Sequence, residues 1–242
     1  MTLRHKLLTL IMAACLLFPV LTASAMLLYP GGTRSNPGTK GYSFFENFFS
    51  ELGLTHSYGR GPQTASFMLF TAALSLAGAA LVVYYCMAPS LFWETTRLKM
   101  LSLVGSAFGI ISGLSFIGVA LTPADVYLAA HAMFVQLAFV TFFIAVSFYA
   151  AAIFMHPDFP NTYGWVNLSF GLLLGIYIWL LFYGPGTATK SGLVIQVAGQ
   201  KLIAYAAVAC MFVIAYGSQR VLDQGAKSAQ SKIIPENQPT VS

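Results

Sequence analysis

Thr64 to Met87, TASFMLFTAALSLAGAALVVYYCM, carries no charged side chain and is long enough to cross the ~30 Å hydrocarbon core of a bilayer as a helix. The pattern recurs on both sides of it. Apolar runs at about Leu7 to Leu28, Leu98 to Leu121, Val126 to Met155, Tyr163 to Tyr183 and Leu193 to Tyr216 each approach or exceed the ~20 residues that spanning requires. Composition agrees, with 57% apolar residues, 8% charged ones and a mean hydropathy of +0.75, too little polar surface for a water-soluble globule. The sequence therefore predicts an all-α polytopic membrane protein, a six-transmembrane-helix bundle forming one domain over residues 1–217. The tail, 218–242, is polar without an apolar face and is expected to be disordered and cytoplasmic.

The first run has two readings. Arg4, His5 and Lys6, an apolar core and Ala23-Ser24-Ala25 fit a cleavable signal peptide, while Met26 to Leu28 prolong the segment to spanning length and favour a retained helix. Cations near the helix ends orient the chain: Arg4, Lys6, Arg97, Lys99, Arg220, Lys227 and Lys232 fall on one side, against Arg34, Lys40, Arg60 and Lys190 on the other. This bias predicts a multi-pass inner-membrane protein with both termini in the cytoplasm. The net charge of +5 reflects that excess and suits anionic headgroups; no basic-aromatic surface points to nucleic acid.

Between the first two runs lies YSFFENFFSELG, Tyr42 to Gly53. At 100° per residue it separates Ser43, Glu46, Asn47, Ser50 and Glu51 from Phe44, Phe45, Phe48, Phe49 and Leu52. The period predicts a short amphipathic helix in the first outer loop, lying on the membrane or dipping into the bundle.

Polar residues elsewhere in the outer half suggest a pocket beneath that helix. Asp125 opens the fourth span, His131 lies about 9 Å deeper, and Gln136 deeper still. In the sixth span Gln196 and Gln200 share a face, with Lys201 about 100° round from Gln200. Ionisable groups within a membrane normally face a partner or a wet cavity, so Asn47, Ser50, Glu51, Asp125, His131, Gln136, Gln196, Gln200 and Lys201 form the candidate ligand pocket. Each also has a plainer reading: Lys201 snorkels, His131 packs, Asp125 caps a helix, and the glutamines bridge helices.

Other signals are structural. Gly105, Gly109 and Gly113 recur every fourth residue, a close-approach face that fits intramolecular packing better than a homo-oligomer. Cys15, Cys86 and Cys210 fall within spans without CxxC spacing. With one histidine inside a span and no HExxH, neither a metal nor a haem or other cofactor is expected.

At LLYPGGTR (Leu27 to Arg34), GYSFFENFFSELG (Gly41 to Gly53) and TPADVYLAAH (Thr122 to His131) the chain resembles the prokaryotic six-helix membrane proteins known as domain of unknown function 998, themselves distantly similar to the damage-regulated autophagy modulators. The likeness extends to about Tyr216 and rests on Asn47-x-x-Ser50-Glu51-Leu52-Gly53 and on Pro123-x-Asp125 with His131. That family has Asp more often where Glu51 stands. The resemblance implies the six-helix topology and marks Asn47, Ser50, Asp125 and His131 as family-type positions, without implying an activity.

The expected function is binding of a membrane lipid or similar amphiphile in an outer-leaflet pocket, without turnover. The alternative is an intramembrane lipid hydrolase or transferase with His131 as base, Asp125 or Glu51 positioning it and Ser50 as nucleophile. A proton- or ion-coupled transporter using Lys201 ranks below both.

Overall fold

The computed structural model describes residues 2–59 and 61–233, with side chains through 225. Six helices are long and apolar enough to span: α1 (Leu3–Leu27), α2 (Thr64–Met87), α3 (Thr96–Leu121), α4 (Leu128–Met155), α5 (Asn161–Tyr183) and α6 (Lys190–Ile233). The chain is an all-α, multi-pass membrane bundle. α1 and α3 begin earlier than hydropathy alone suggests because polar residues start them: the Thr2 hydroxyl accepts from His5 N–H, and the Thr95 hydroxyl accepts from Leu98 N–H.

Each helix packs on its neighbours in sequence, and α6 closes back on α1, so the six form a ring. Packing across it is sparse. The glycine face of α3 is used within the bundle: a Cβ at Gly113 would lie 2.7 Å from the Gly78 carbonyl oxygen, and one at Gly109 would strike the Tyr85 ring. Outward-facing Leu10, Leu16, Val20, Leu114, Leu172 and Ile176 give the ring an apolar exterior, with Trp93, Trp165 and Trp179 also exposed.

The end carrying residues 28–63, the loop side, is capped by that segment. It contains a bridge between Gly31 and Lys40 and a small hairpin, β1 (His56–Ser57) with β2 (Gly61–Pro62). Gly32 has φ 95°, and a side chain there would collide with the Tyr58 carbonyl, so only glycine lets the loop fold this closely.

Two expectations change. Tyr42 to Gly53 is not one amphipathic helix but a turn followed by a 3-10 helix, Phe49–Gly53, with Phe48 extended at φ −61°, ψ 153°. Asn47 Oδ1 takes the Ser43 N–H, and the Tyr42 hydroxyl donates to the carbonyls of Asn47 and Phe48. These side-chain bonds give the backbone an alternative to helical pairing. The tail does not become irregular at residue 218 either, since α6 stays helical to Ile233. Its polar residues end the apolar run without ending the helix. Arg60 and residues 234–242, which include the rest of the expected disordered tail, lie outside the described residues.

Candidate functional site

Asn47 is the hub of the loop-side cap and is fully buried. Its amide nitrogen donates to the Gly32 carbonyl at 3.0 Å and to Glu51 Oε2 at 2.7 Å, while its own carbonyl accepts from Lys201 Nζ at 2.6 Å. Lys201 reaches this carbonyl from α6 and is only 2% exposed. Its ammonium lies 5.2 Å from the Tyr42 ring centroid and 5.1 Å from that of Phe44, so π faces supply part of the stabilisation that water would otherwise give. The reading of Lys201 as snorkelling to the interface is replaced by a buried tie between α6 and the loop.

Glu51 is 3% exposed. Arg34 Nε stands 3.7 Å from Oε1, which has no hydrogen-bond partner among the described residues. Burial pushes the Glu51 carboxyl above its ordinary value, against the opposing pull of the Asn47 hydrogen bond and the Arg34 charge. Gln63, 2% exposed, donates from Nε2 to the carbonyls of Glu51 and Leu54, both at 2.7 Å, and pins the 3-10 helix to the start of α2.

The remaining expected pocket residues disperse. Asp125 accepts from the Thr55 and His56 N–H groups, at 3.0 to 3.1 Å, and from the Thr55 hydroxyl at 2.5 Å. It holds the hairpin and does not join Glu51. Partial burial works against its ionised form, yet the Thr55 hydroxyl and the backbone donors outweigh that and hold the carboxyl below its usual range. His131 Nδ1 donates to the Thr122 carbonyl at 2.7 Å, tying the start of α4 to the end of α3. Gln196 donates to the Leu180 and Pro185 carbonyls, joining α6 to the end of α5. Gln136 is exposed on the outer surface of the ring. No hydrogen bond joins Ser50, His131 and a carboxylate among the described residues, so the nucleophile, base and orienter set is not assembled.

Ser50 and Gln200, both among the expected pocket residues, do come together beneath the cap. The Phe49 N–H donates to Gln200 Oε1 at 2.8 Å, and Ser50 and Gln200 line a chamber of about 40 Å³ just under the cap. Directly below lies an apolar cavity of about 50 Å³ reaching Cys15 and Met211 in the middle of the bundle. The two cavities share Leu74, Phe116, Phe139 and Ala204 as wall residues. Sequence reasoning missed them because apolar lining residues look like any other core. It also missed Arg34 and Gln63 as partners of Glu51, since nothing in their local sequence distinguishes them from loop residues.

Among the described residues no group of histidine, cysteine and carboxylate side chains is placed to hold a metal ion. Compared with protein-family models, curated proteins and solved structures, the chain matches none.

Proposed function

We propose that the protein holds a membrane-soluble amphiphile inside the helix ring, with its polar end at the loop side, and does not chemically alter it. The observation that carries this reading is a pair of small neighbouring cavities inside the ring, an apolar one of about 50 Å³ in the middle of the bundle and one of about 40 Å³ beneath the cap whose polar residues are Ser50 and Gln200. An apolar interior with a few polar groups at one end matches the polarity profile of such a molecule, which enters by parting the helices around these voids. The Lys and Arg bias supports an inner-membrane setting with the termini in the cytoplasm and the capped end outside, which would put the polar pole in the outer leaflet. The partners are then membrane lipids.

Ala204 lines both chambers, so Ala204→Phe fills them from within. Native mass spectrometry of purified protein is expected to show a retained amphiphile in wild type and at least a tenfold reduction in this variant. Equal retention by a folded Ala204→Phe protein would overturn the reading.

A further inference from the structure

We infer that a separate lipid site lies on the outside of the ring: the groove between α4 and α5 takes an ester-linked acyl chain of a membrane lipid, with the ester carbonyl on Asn167. The groove measures about 380 Å³, several times either interior void. That is within the range of roughly 300 to 1,000 Å³ found for ligand pockets. It opens outward, because Val146, Ala150 and Gly171 on its floor are buried while Ser147, Ala151 and Leu172 on its rim are exposed. Along α4 it runs from Phe143 to Phe154, about 16 Å at 1.5 Å per residue, close to one leaflet of the ~30 Å hydrocarbon core. Both walls are spanning helices, and the rim is continuous with the apolar exterior at Leu172 and Ile176. The groove is therefore a recess in the surface that meets the bilayer, and what lies against it is a lipid chain.

One buried polar group specifies which part of the lipid is held. Asn167 lines the groove and is only 4% exposed. Its Oδ1 accepts from Cys210 Sγ at 3.6 Å, and its Nδ2 donates to the Val146 carbonyl at 3.3 Å. An amide nitrogen carries two N–H groups, so the second is left without a partner among the described residues. A donor unmatched in hydrocarbon is costly, and the groove contains no charged side chain to answer it. Asn167 stands six residues into α5, about 9 Å from its start, and so lies nearer the interface than the bilayer centre. At that level the acceptor a lipid can offer is the ester carbonyl at the head of its chain. The chain then follows the groove toward Phe143, and the glycerol end leaves past Phe154 and the exposed Trp165, whose rings lie 5.1 Å apart.

The test presents the full-length protein in detergent micelles with equal amounts of dioleoyl phosphatidylcholine and its dioleyl ether analogue. The two share a head and chain length and differ in the carbonyls, and native mass spectrometry counts what each protein retains. Wild type is expected to retain the ester lipid about fivefold better, as one hydrogen bond in an apolar setting gives. Asn167→Leu should bring the ratio to about one while lipid is still retained. Ala151→Phe, on the exposed rim, should lower retention of both lipids about fivefold or more, which keeps the inference testable if Asn167→Leu fails to fold. Ala204→Phe, which fills the interior voids, should leave the ratio unchanged, so the two sites can fail separately. Equal retention of ester and ether lipids by wild type would overturn the inference, as would undiminished retention by Ala151→Phe. Loss of a dimer in place of lipid in Ala151→Phe would also overturn it, assigning the groove to a second copy of the chain.

Discussion

The loop-side end of the bundle buries Lys201, Glu51, Asn47 and Gln63, whereas the opposite end buries Tyr84, Tyr149, Phe92 and His156. At the opposite end the rings interlock edge to face: Tyr85 with Tyr149 at 5.3 Å, Phe92 with Tyr149 at 5.5 Å and Phe92 with His156 at 5.3 Å. Its polar atoms are satisfied locally, with His156 Nε2 also 3.2 Å from Glu94 Oε1. Ser106 and the Tyr149 hydroxyl lie 2.7 Å apart, and His156 Nε2 donates to the Leu91 carbonyl at 2.9 Å while Nδ1 accepts from two backbone N–H groups. At the loop side, by contrast, opposite charges are buried near one another without touching, joined through Asn47. One end is closed by shape and the other by connectivity. The upper cavity lies under the connected end, where the Phe49 ring packs on Phe70 and Tyr205, both at 5.5 Å, beneath the polar bonds of the cap.

Truncating the aromatic end should have the largest effect. Phe92→Ala removes a fully buried ring that touches Tyr149, His156 and Phe159, and a loss of about 4 kcal/mol is expected, read as a lowered denaturation midpoint in detergent. Lys201→Met should come next, at about 3 kcal/mol, because it strips the buried Asn47 carbonyl of its partner and takes from Glu51 one of two nearby cations, Arg34 being the other. Adding Glu51→Gln to Lys201→Met should restore part of that loss. Strictly additive losses in the double-mutant cycle would mean the two charges are independent and would break the contrast between the ends. Tyr149→Phe, which strands the Ser106 hydroxyl, should cost about 1 kcal/mol in the same assay.

The smallest effect sharpens the comparison within the cap itself. Glu51 has a raised folded-state pKa, so the folded protein holds that proton more tightly than the unfolded chain, and stability should fall as pH rises from 4.5 through the raised value. Glu51→Gln should flatten this slope. Asp125 has the opposite sign: its lowered pKa contributes stability above its ordinary 3.8 that is lost as pH falls through the folded value, so Asp125→Asn should be less stable than wild type at pH 7. Denaturation midpoints of wild type and both variants from about pH 2 to 7, which spans the region below 3.8 for Asp125 and above 4.5 for Glu51, check the two signs.

Six spans could be read from hydropathy because lipid imposes one requirement on every helix exterior, and α2 runs from Thr64 to Met87, the uncharged run itself. The ends were less legible, since Arg4 to Lys6 and the residues after Gly217 are polar yet good helix formers. The site was partly legible. Asn47, Glu51 and Lys201 stood out as polar groups too costly to leave alone, and the fold joins them. Their partners did not stand out because so many are backbone carbonyls: Lys201 takes that of Asn47, His131 that of Thr122, and Gln196 those of Leu180 and Pro185. An inventory of side chains contains only half of such pairs. The helical period of Tyr42 to Gly53 misled for the same reason, because the Asn47 side chain bonds to backbone that a helix would have used.

With 44 residues, α6 is about 66 Å long, roughly twice the hydrocarbon thickness it has to cross. Lys201 near one end is fastened to the cap, and Asp223 beyond the far end of the ring meets His5 Nε2 at 2.8 Å. The separation between these two points along the helix is about 33 Å at 1.5 Å per residue. A helix of that length behaves as a lever: a tilt of about 5° pivoting at Lys201 displaces Asp223 by about 3 Å, enough to part it from His5. Because α6 packs on α1 and α5 along the way, such a tilt has to be shared by its neighbours, and the contact of Asp223 with His5 is where it would be read.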